Sequence, residues 1–93
     1  MATLPLEHIE NEETTVTVEP AKVILFNDDV HTFDEVISQV IKAIHCDHQT
    51  AESLVHEVHS NGKAVVYSGD VHQCVEVSGV LEEIMLMTQI EVL

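Results

Sequence analysis

The chain has 93 residues, with 17 Asp and Glu against three lysines and no arginine, giving a formal net charge of −14. That length allows one domain with a small core. The charge excludes a nucleic-acid binder or an anionic-membrane binder, both of which need clustered Lys and Arg, and no apolar run is long enough to span a bilayer. Such a field draws in a cationic ligand or a basic partner, and it equally serves solubility alone.

Residues 1–20 carry Glu7, Glu10, Glu12, Glu13 and Glu19 among Thr and Val, with no lysine and no helical period. They are expected to form a mobile acidic tail, neither a secretory nor a transit signal. Residues 21–93 are then the folded domain. Val23-Ile24-Leu25-Phe26 is a continuous apolar run that suits a buried strand beginning near Lys22. Asn27-Asp28-Asp29 breaks it, because these side chains bond their own local backbone and favour turns.

Thr32-Phe33-Asp34-Glu35 has capping-box spacing, and Phe33, Val36, Ile37, Val40, Ile41 and Ile44 follow on one helical face, predicting a helix over Phe33–His45. Asp47 caps a second helix with Ala51, Leu54, Val55 and Val58 as its stripe, ended by Asn61-Gly62. Ala64–Tyr67 reads as a strand and Ser68-Gly69-Asp70 as a turn. Asp70 with Gln73 opens a third helix whose apolar face is expected to hold Val71, Cys74, Val75, Ser78, Leu81 and Met85. Thr88–Val92 alternates as a last half-buried strand. The order β-α-α-β-α-β predicts an α+β fold, a two-layer sandwich of a three-stranded antiparallel sheet covered by three helices.

Cys46 and Cys74 each sit in an apolar pattern, which favours buried thiols in a reducing, cytoplasmic setting, with one disulfide between them still open. His45, Cys46 and His48 cluster between helices, and His56 and His59 lie one turn apart, offering donors that zinc favours. No Cys-x-x-Cys and no second His pair at finger spacing accompanies them, so neither metal nor cofactor is expected. Asp28, Asp29 and His59 are also capable of acid–base work. Without a phosphate loop, nucleophile elbow or HExxH, the expectation is a binder and not an enzyme.

From Lys22 to Val66 the sequence resembles the ClpS family in one ungapped stretch. The resemblance is carried by Val23–Asp29, then Thr32-Phe33 and Val36, and by Val58-His59 followed by Gly62-Lys63-Ala64. It implies the same β-α-α-β-α-β fold and a binding role. Members of that family hold the free N-terminal Leu, Phe, Tyr or Trp of a substrate protein and deliver it to the N-terminal domain of a Clp AAA+ ATPase of the ClpA or ClpC type.

By position, the resemblance makes Asn27, Asp28 and His59 the α-amino ligands, and Phe33, Val36, Val55, Val58 and Leu86 the apolar pocket. Asp29 is expected to serve the turn or the electrostatic field without touching the ligand. Phe33 stands where many relatives carry Met, and Met85 where many carry Gly. His72 and Val77 replace charged letters expected around helix three. A divergent relative with altered specificity or a different partner is therefore the alternative. The residue chemistry agrees with the assignment. His59 lies about 40° around the helix from Val55, at the edge of the stripe, so a polar acceptor sits beside an apolar hollow.

Overall fold

The computed structural model describes residues 18–93, so the expected tail lies almost wholly outside the described residues. The elements are β1 (Pro20–Phe26), α1 (Phe33–Ile44), α2 (His48–Asn61), β2 (Lys63–Asp70), α3 (Val71–Glu82) and β3 (Thr88–Val92). The sheet is antiparallel throughout, in the order β2-β1-β3. β1 takes the centre and is the most buried of the three strands. Ala21, Val23 and Leu25 face the helices and are fully buried, and Ile24 on the opposite face is 6% exposed. A bulge between Val23 and Ile24 skips Val66 in the pairing with β2. The α+β sandwich expected from the sequence is the fold observed.

Local chemistry sets the helix ends. The Glu35 N–H donates to Thr32 Oγ1 at 3.1 Å, and the Thr32 N–H donates to Glu35 Oε1 at 2.8 Å, closing the capping box of α1. The Thr50 N–H donates to Asp47 Oδ1 at 2.8 Å at the start of α2. Gly62 ends α2 at φ 86°, a left-handed conformation that costs a glycine little. α1 stops one residue before the expected His45, which itself adopts the left-handed cap at φ 58°.

Three expectations need correction. β1 begins at Pro20, two residues before Lys22, and this lengthens its partner: Pro20 pairs with Asp70 and Ala21 with Gly69. Ser68-Gly69-Asp70 is therefore the end of β2 and not a turn, and α3 starts at the next residue, with the Val71 N–H donating to the Glu19 carbonyl at 2.8 Å. The face of α3 is also rotated. It buries Cys74, Val77, Ser78 and Leu81, while Val75 is 56% and Met85 86% exposed. The buried set follows i, i+3, i+4, i+7 from Cys74. Met85 lies beyond the helix end, at φ 69°, in the connection to β3.

Polar bonds excuse the polar residues in the core. Ser78 and Thr88 share a hydroxyl hydrogen bond at 2.6 Å. Gln39 Nε2 donates to the Val80 carbonyl at 2.6 Å and to Glu83 Oε1 at 3.2 Å, beside a Lys42–Glu83 ion pair at 2.9 Å. These bonds fix the end of α3 against α1 and so position the segment that carries Leu86. Both cysteines are free thiols, Cys74 buried and Cys46 half-buried. No helix among the described residues is long and apolar enough to cross a membrane.

Candidate functional site

Where β1 ends, the chain is pinned from both sides. The Phe26 N–H donates to the Met87 carbonyl at 3.1 Å, and the Asn27 N–H donates to the Gly62 carbonyl at 2.8 Å. The second bond ties Asn27 to the C-terminal end of α2, one turn from His59. The turn that follows is built on Asp28. Its Oδ1 accepts from the Val30 N–H at 2.9 Å, and its Oδ2 engages Nδ1 of His31. Asn27 turns its Nδ2 toward Asp29 Oδ1 at 3.5 Å, which leaves the Asn27 amide oxygen free to accept.

These residues rim a cleft of about 210 Å³. Asn27, Asp28, His59, Phe33, Val36, Val55, Val58 and Leu86, singled out from sequence, all line it. Val36, Val55, Val58 and Leu86 are between 3% and 8% exposed and make its floor, with the half-buried Phe33 as a side wall. The Phe33 ring sits between two imidazoles in edge-on contact, 5.0 Å from His56 and 5.1 Å from His59 between centroids. That contact fixes the plane of the His59 ring as well as the wall.

Phe26, Asp29 and His31 also line the cleft and had not been singled out as its binding residues. For His31 the sequence carries a faint signal: Asp28-x-x-His31 across a turn places an acid and a base side by side. The pair alters both groups. The His31 hydrogen bond, then the Val30 N–H, holds the Asp28 carboxyl below its usual range. The Asp28 hydrogen bond raises the His31 imidazole above its ordinary value, with Glu35 and the Ile84 carbonyl adding to it against some desolvation. No group of three or more His, Cys, Asp or Glu among the described residues is placed to hold a metal ion.

The arrangement has a definite chemistry. Its rim offers acceptors: the Asn27 amide oxygen, the Asp28 and Asp29 carboxylates and a ring nitrogen of His59. Its floor is apolar. Such a site suits a cation with several N–H donors attached to an apolar group.

The model of the ATP-dependent Clp protease adaptor protein ClpS family matches residues 17–89. A solved structure of Agrobacterium tumefaciens ClpS2 bound to L-phenylalaninamide superposes with a TM-score of 0.76 at 19% identity, covering 83% of this chain and all of that one, and so shares the fold. Among curated proteins, human E3 ubiquitin-protein ligase UBR2 is 32% identical over 76 residues, 82% of this chain and 4% of that protein. Drosophila melanogaster E3 ubiquitin-protein ligase UBR1 is 31% identical over 64 residues, 69% of this chain and 4% of that protein. The chain thus spans a small fraction of the length of these ligases. Matched over nearly all of its described residues, the chain belongs to the ClpS family of Clp protease adaptors.

Proposed function

We propose that the chain is a receptor for the free N-terminal residue of proteins, gripping a bulky hydrophobic first residue (Leu, Phe, Tyr or Trp) in the cleft between the 27–31 turn and the end of α2. One observation carries the reading: acceptors and an apolar floor converge in a single cleft of about 210 Å³. That is below the roughly 300–1,000 Å³ of a drug-sized pocket and suits one side chain.

In this reading the α-ammonium donates to the Asn27 amide oxygen, to a carboxylate and to His59, whose ring must be neutral to accept. Asp28 supplies negative charge, but both of its oxygens already have partners in the turn. Asp29 has the freer carboxylate beside Asn27, and takes the direct bond. Phe33, Val36, Val55, Val58 and Leu86 hold the side chain.

The magnitudes are adequate. Charge-assisted hydrogen bonds contribute about 1.5–3 kcal/mol each, and burial of a Leu or Phe side chain roughly 1.5–3 kcal/mol. After the cost of association, a dissociation constant on the order of micromolar follows. Acetylating the amino group removes the cation and strands the carboxylates, so discrimination is large.

Calorimetric titration with short peptides that differ only at residue one, each with a free and an acetylated amino group, tests this. Saturable binding of free Phe- or Leu-started peptides and none of the acetylated forms is expected. No binding of either form would leave a shared fold without the activity. L-phenylalaninamide, the ligand of the ClpS2 structure, is the smallest probe with both required parts.

Delivery to the N-terminal domain of a ClpA- or ClpC-type ATPase is the second half of the proposal, supported by family membership. Direct binding between the two purified proteins tests it. A second reading keeps the receptor and changes the recipient. Identity is higher to segments of ubiquitin ligases, 32% for human UBR2, than to ClpS2 at 19%. On that reading the same cleft serves a ligase. Failure to bind either Clp domain, with peptide binding intact, would favour it.

A further inference from the structure

We propose that His31 is a positioning residue that straps the segment carrying Leu86 to the turn carrying Asn27 and Asp29, and so sets the shape of the cleft. The inference rests on the receptor reading of that cleft. His31 is the wall between two depressions. On one side it lines the cleft itself, with Asn27, Asp29, His59 and Leu86. On the other it lines a shallow hollow with Ile84 and Met85, Glu35, Gln39 and Glu83.

The ring is mostly covered, with 19% of its side chain exposed, and its Nδ1 engages Asp28 Oδ2. Ile84 lines the hollow beside the ring, and its carbonyl is the proposed acceptor for the second ring nitrogen. Ile84 lies two residues before Leu86, the cleft's floor, in the connection where Met85 takes the left-handed φ of 69°. The connection is held at its ends, where the Met85 N–H donates to the Glu82 carbonyl at 2.8 Å and the Met87 carbonyl accepts from the Phe26 N–H at 3.1 Å, and its methionine side chains lie open. Met85 and Met87 are 86% and 69% exposed. An imidazole held by Asp28 on one side and donating to the Ile84 carbonyl on the other would join two segments that are distant in sequence.

Only the imidazolium has both N–H groups, so the strap is complete when His31 is protonated. Asp28 in its own turn and Glu35 from α1 favour that form; the other titratable groups lining the two depressions are Asp29 in the same turn, Glu83 from the end of α3 (itself paired with Lys42) and His59 from α2. The strap thus asks for a proton on His31, while the proposed ligand asks for a lone pair on His59. The two histidines have opposite requirements within one cleft.

Two measurements test the strap. For a Phe-started peptide, His31→Ala is expected to weaken binding about tenfold, and His31→Gln, which keeps N–H donors for Asp28 and Ile84, to recover most of it. Wild-type affinity in His31→Ala, or equal weakness in both variants, would overturn the role. In the ligand-free protein, the amide resonances of Ile84, Met85 and Leu86 are expected to shift with pH along the titration of the His31 ring and to stand still in His31→Gln. Amides that ignore the His31 titration in the wild type would sink the proposal. If no peptide binds and the amides still follow His31, the receptor reading fails and the strap stands.

Discussion

Two strand-to-helix corners carry similar polar triplets and use them differently. At the end of β1, Asn27-Asp28-Asp29 opens a connection over residues 27–32 before α1 begins at Phe33. At the end of β2, Ser68-Gly69-Asp70 stays in the strand, and α3 begins at once with Val71. In the first corner the helix cap is Thr32, with Glu35 as its partner. Asn27 and Asp29 are therefore not needed to start the helix and are left to line the cleft. In the second corner Asp70 is itself the residue before the helix. Gln73 Oε1 accepts from its N–H at 3.3 Å and from the Tyr67 hydroxyl at 3.2 Å. A polar group becomes available to a ligand when another residue has already met the local backbone's demand.

The sharpest way to break this comparison is to neutralise each carboxylate of the first corner. Asp29→Asn removes charge from the rim and leaves the Asp28 turn intact. It is expected to weaken a Phe-started peptide by about 10- to 100-fold, the value of one charge-assisted hydrogen bond, with an unchanged melting temperature. Asp28→Asn removes the partner of His31 and is expected to lower the melting temperature as well. Equal melting temperatures and the reverse order of affinities would place the direct ammonium contact on Asp28. His59→Ala is expected to cost about tenfold, and acidification should imitate it in the wild type, because a protonated imidazole has no lone pair to offer.

A smaller effect is expected at Phe33, the first helical residue after that corner. Its ring is wedged between His56 and His59 and is a stiffer wall than a thioether. Peptides starting with Ile or Val should bind about tenfold more weakly than those starting with Leu, within the range that a misplaced methyl group costs in a fitted pocket. Phe33→Met should narrow the gap. Equal binding of Leu- and Ile-started peptides by the wild type would show that the wall yields.

How much of this could be read from sequence differs between the corners, for physical reasons. Thr32 and Glu35, Asp47 and Gly62 are local signals, each decided by bonds within a few residues, so the ends of α1 and α2 were legible. The cleft residues were grouped by resemblance and by helical spacing, and the structure lines one cleft with all of them. Ser68-Gly69-Asp70 misled because its strand character comes from a distant partner, the early start of β1 at Pro20. The face of α3 misled because Val75 and Met85 are as apolar as Val77 and Leu81, and only the helix's end at Glu82 and its packing decide which are buried. The setting of His31 is not legible in the sequence because Ile84, which lines the same hollow, is remote along the chain.

The second corner should respond in the opposite sense. A Cβ on Gly69 would lie 2.9 Å from Gln73 Oε1 and 3.0 Å from the Tyr67 ring and hydroxyl. Gly69→Ala must displace the Gln73 amide that serves both Tyr67 and Asp70. The expected cost is about 1 kcal/mol in denaturant unfolding, the net worth of a hydrogen bond, with peptide affinity unchanged. A loss of affinity as large as that of Asp29→Asn would abolish the distinction between the two corners.

The smallest expected effect is the pH dependence of stability from the Asp28–His31 pair. The carboxyl is held below its usual 3.8, chiefly by the His31 hydrogen bond, so its contribution is fully present above that value and is lost as pH falls through the lowered one. The imidazole is raised above 6.5, chiefly by Asp28, so its contribution is fully present below 6.5 and is lost as pH rises through the raised value. The pair is therefore complete between 3.8 and 6.5, and it weakens as pH falls through the lowered carboxyl value or rises through the raised imidazole value. Solvent screens a pair at the rim of an open cleft, and the effect on global unfolding should be slight. Comparing the wild type with His31→Gln by urea unfolding at several pH values isolates it. The difference should be greatest between 3.8 and 6.5 and fade as pH rises through the raised imidazole value, whereas a constant difference would mean that His31 acts by packing and not by its proton.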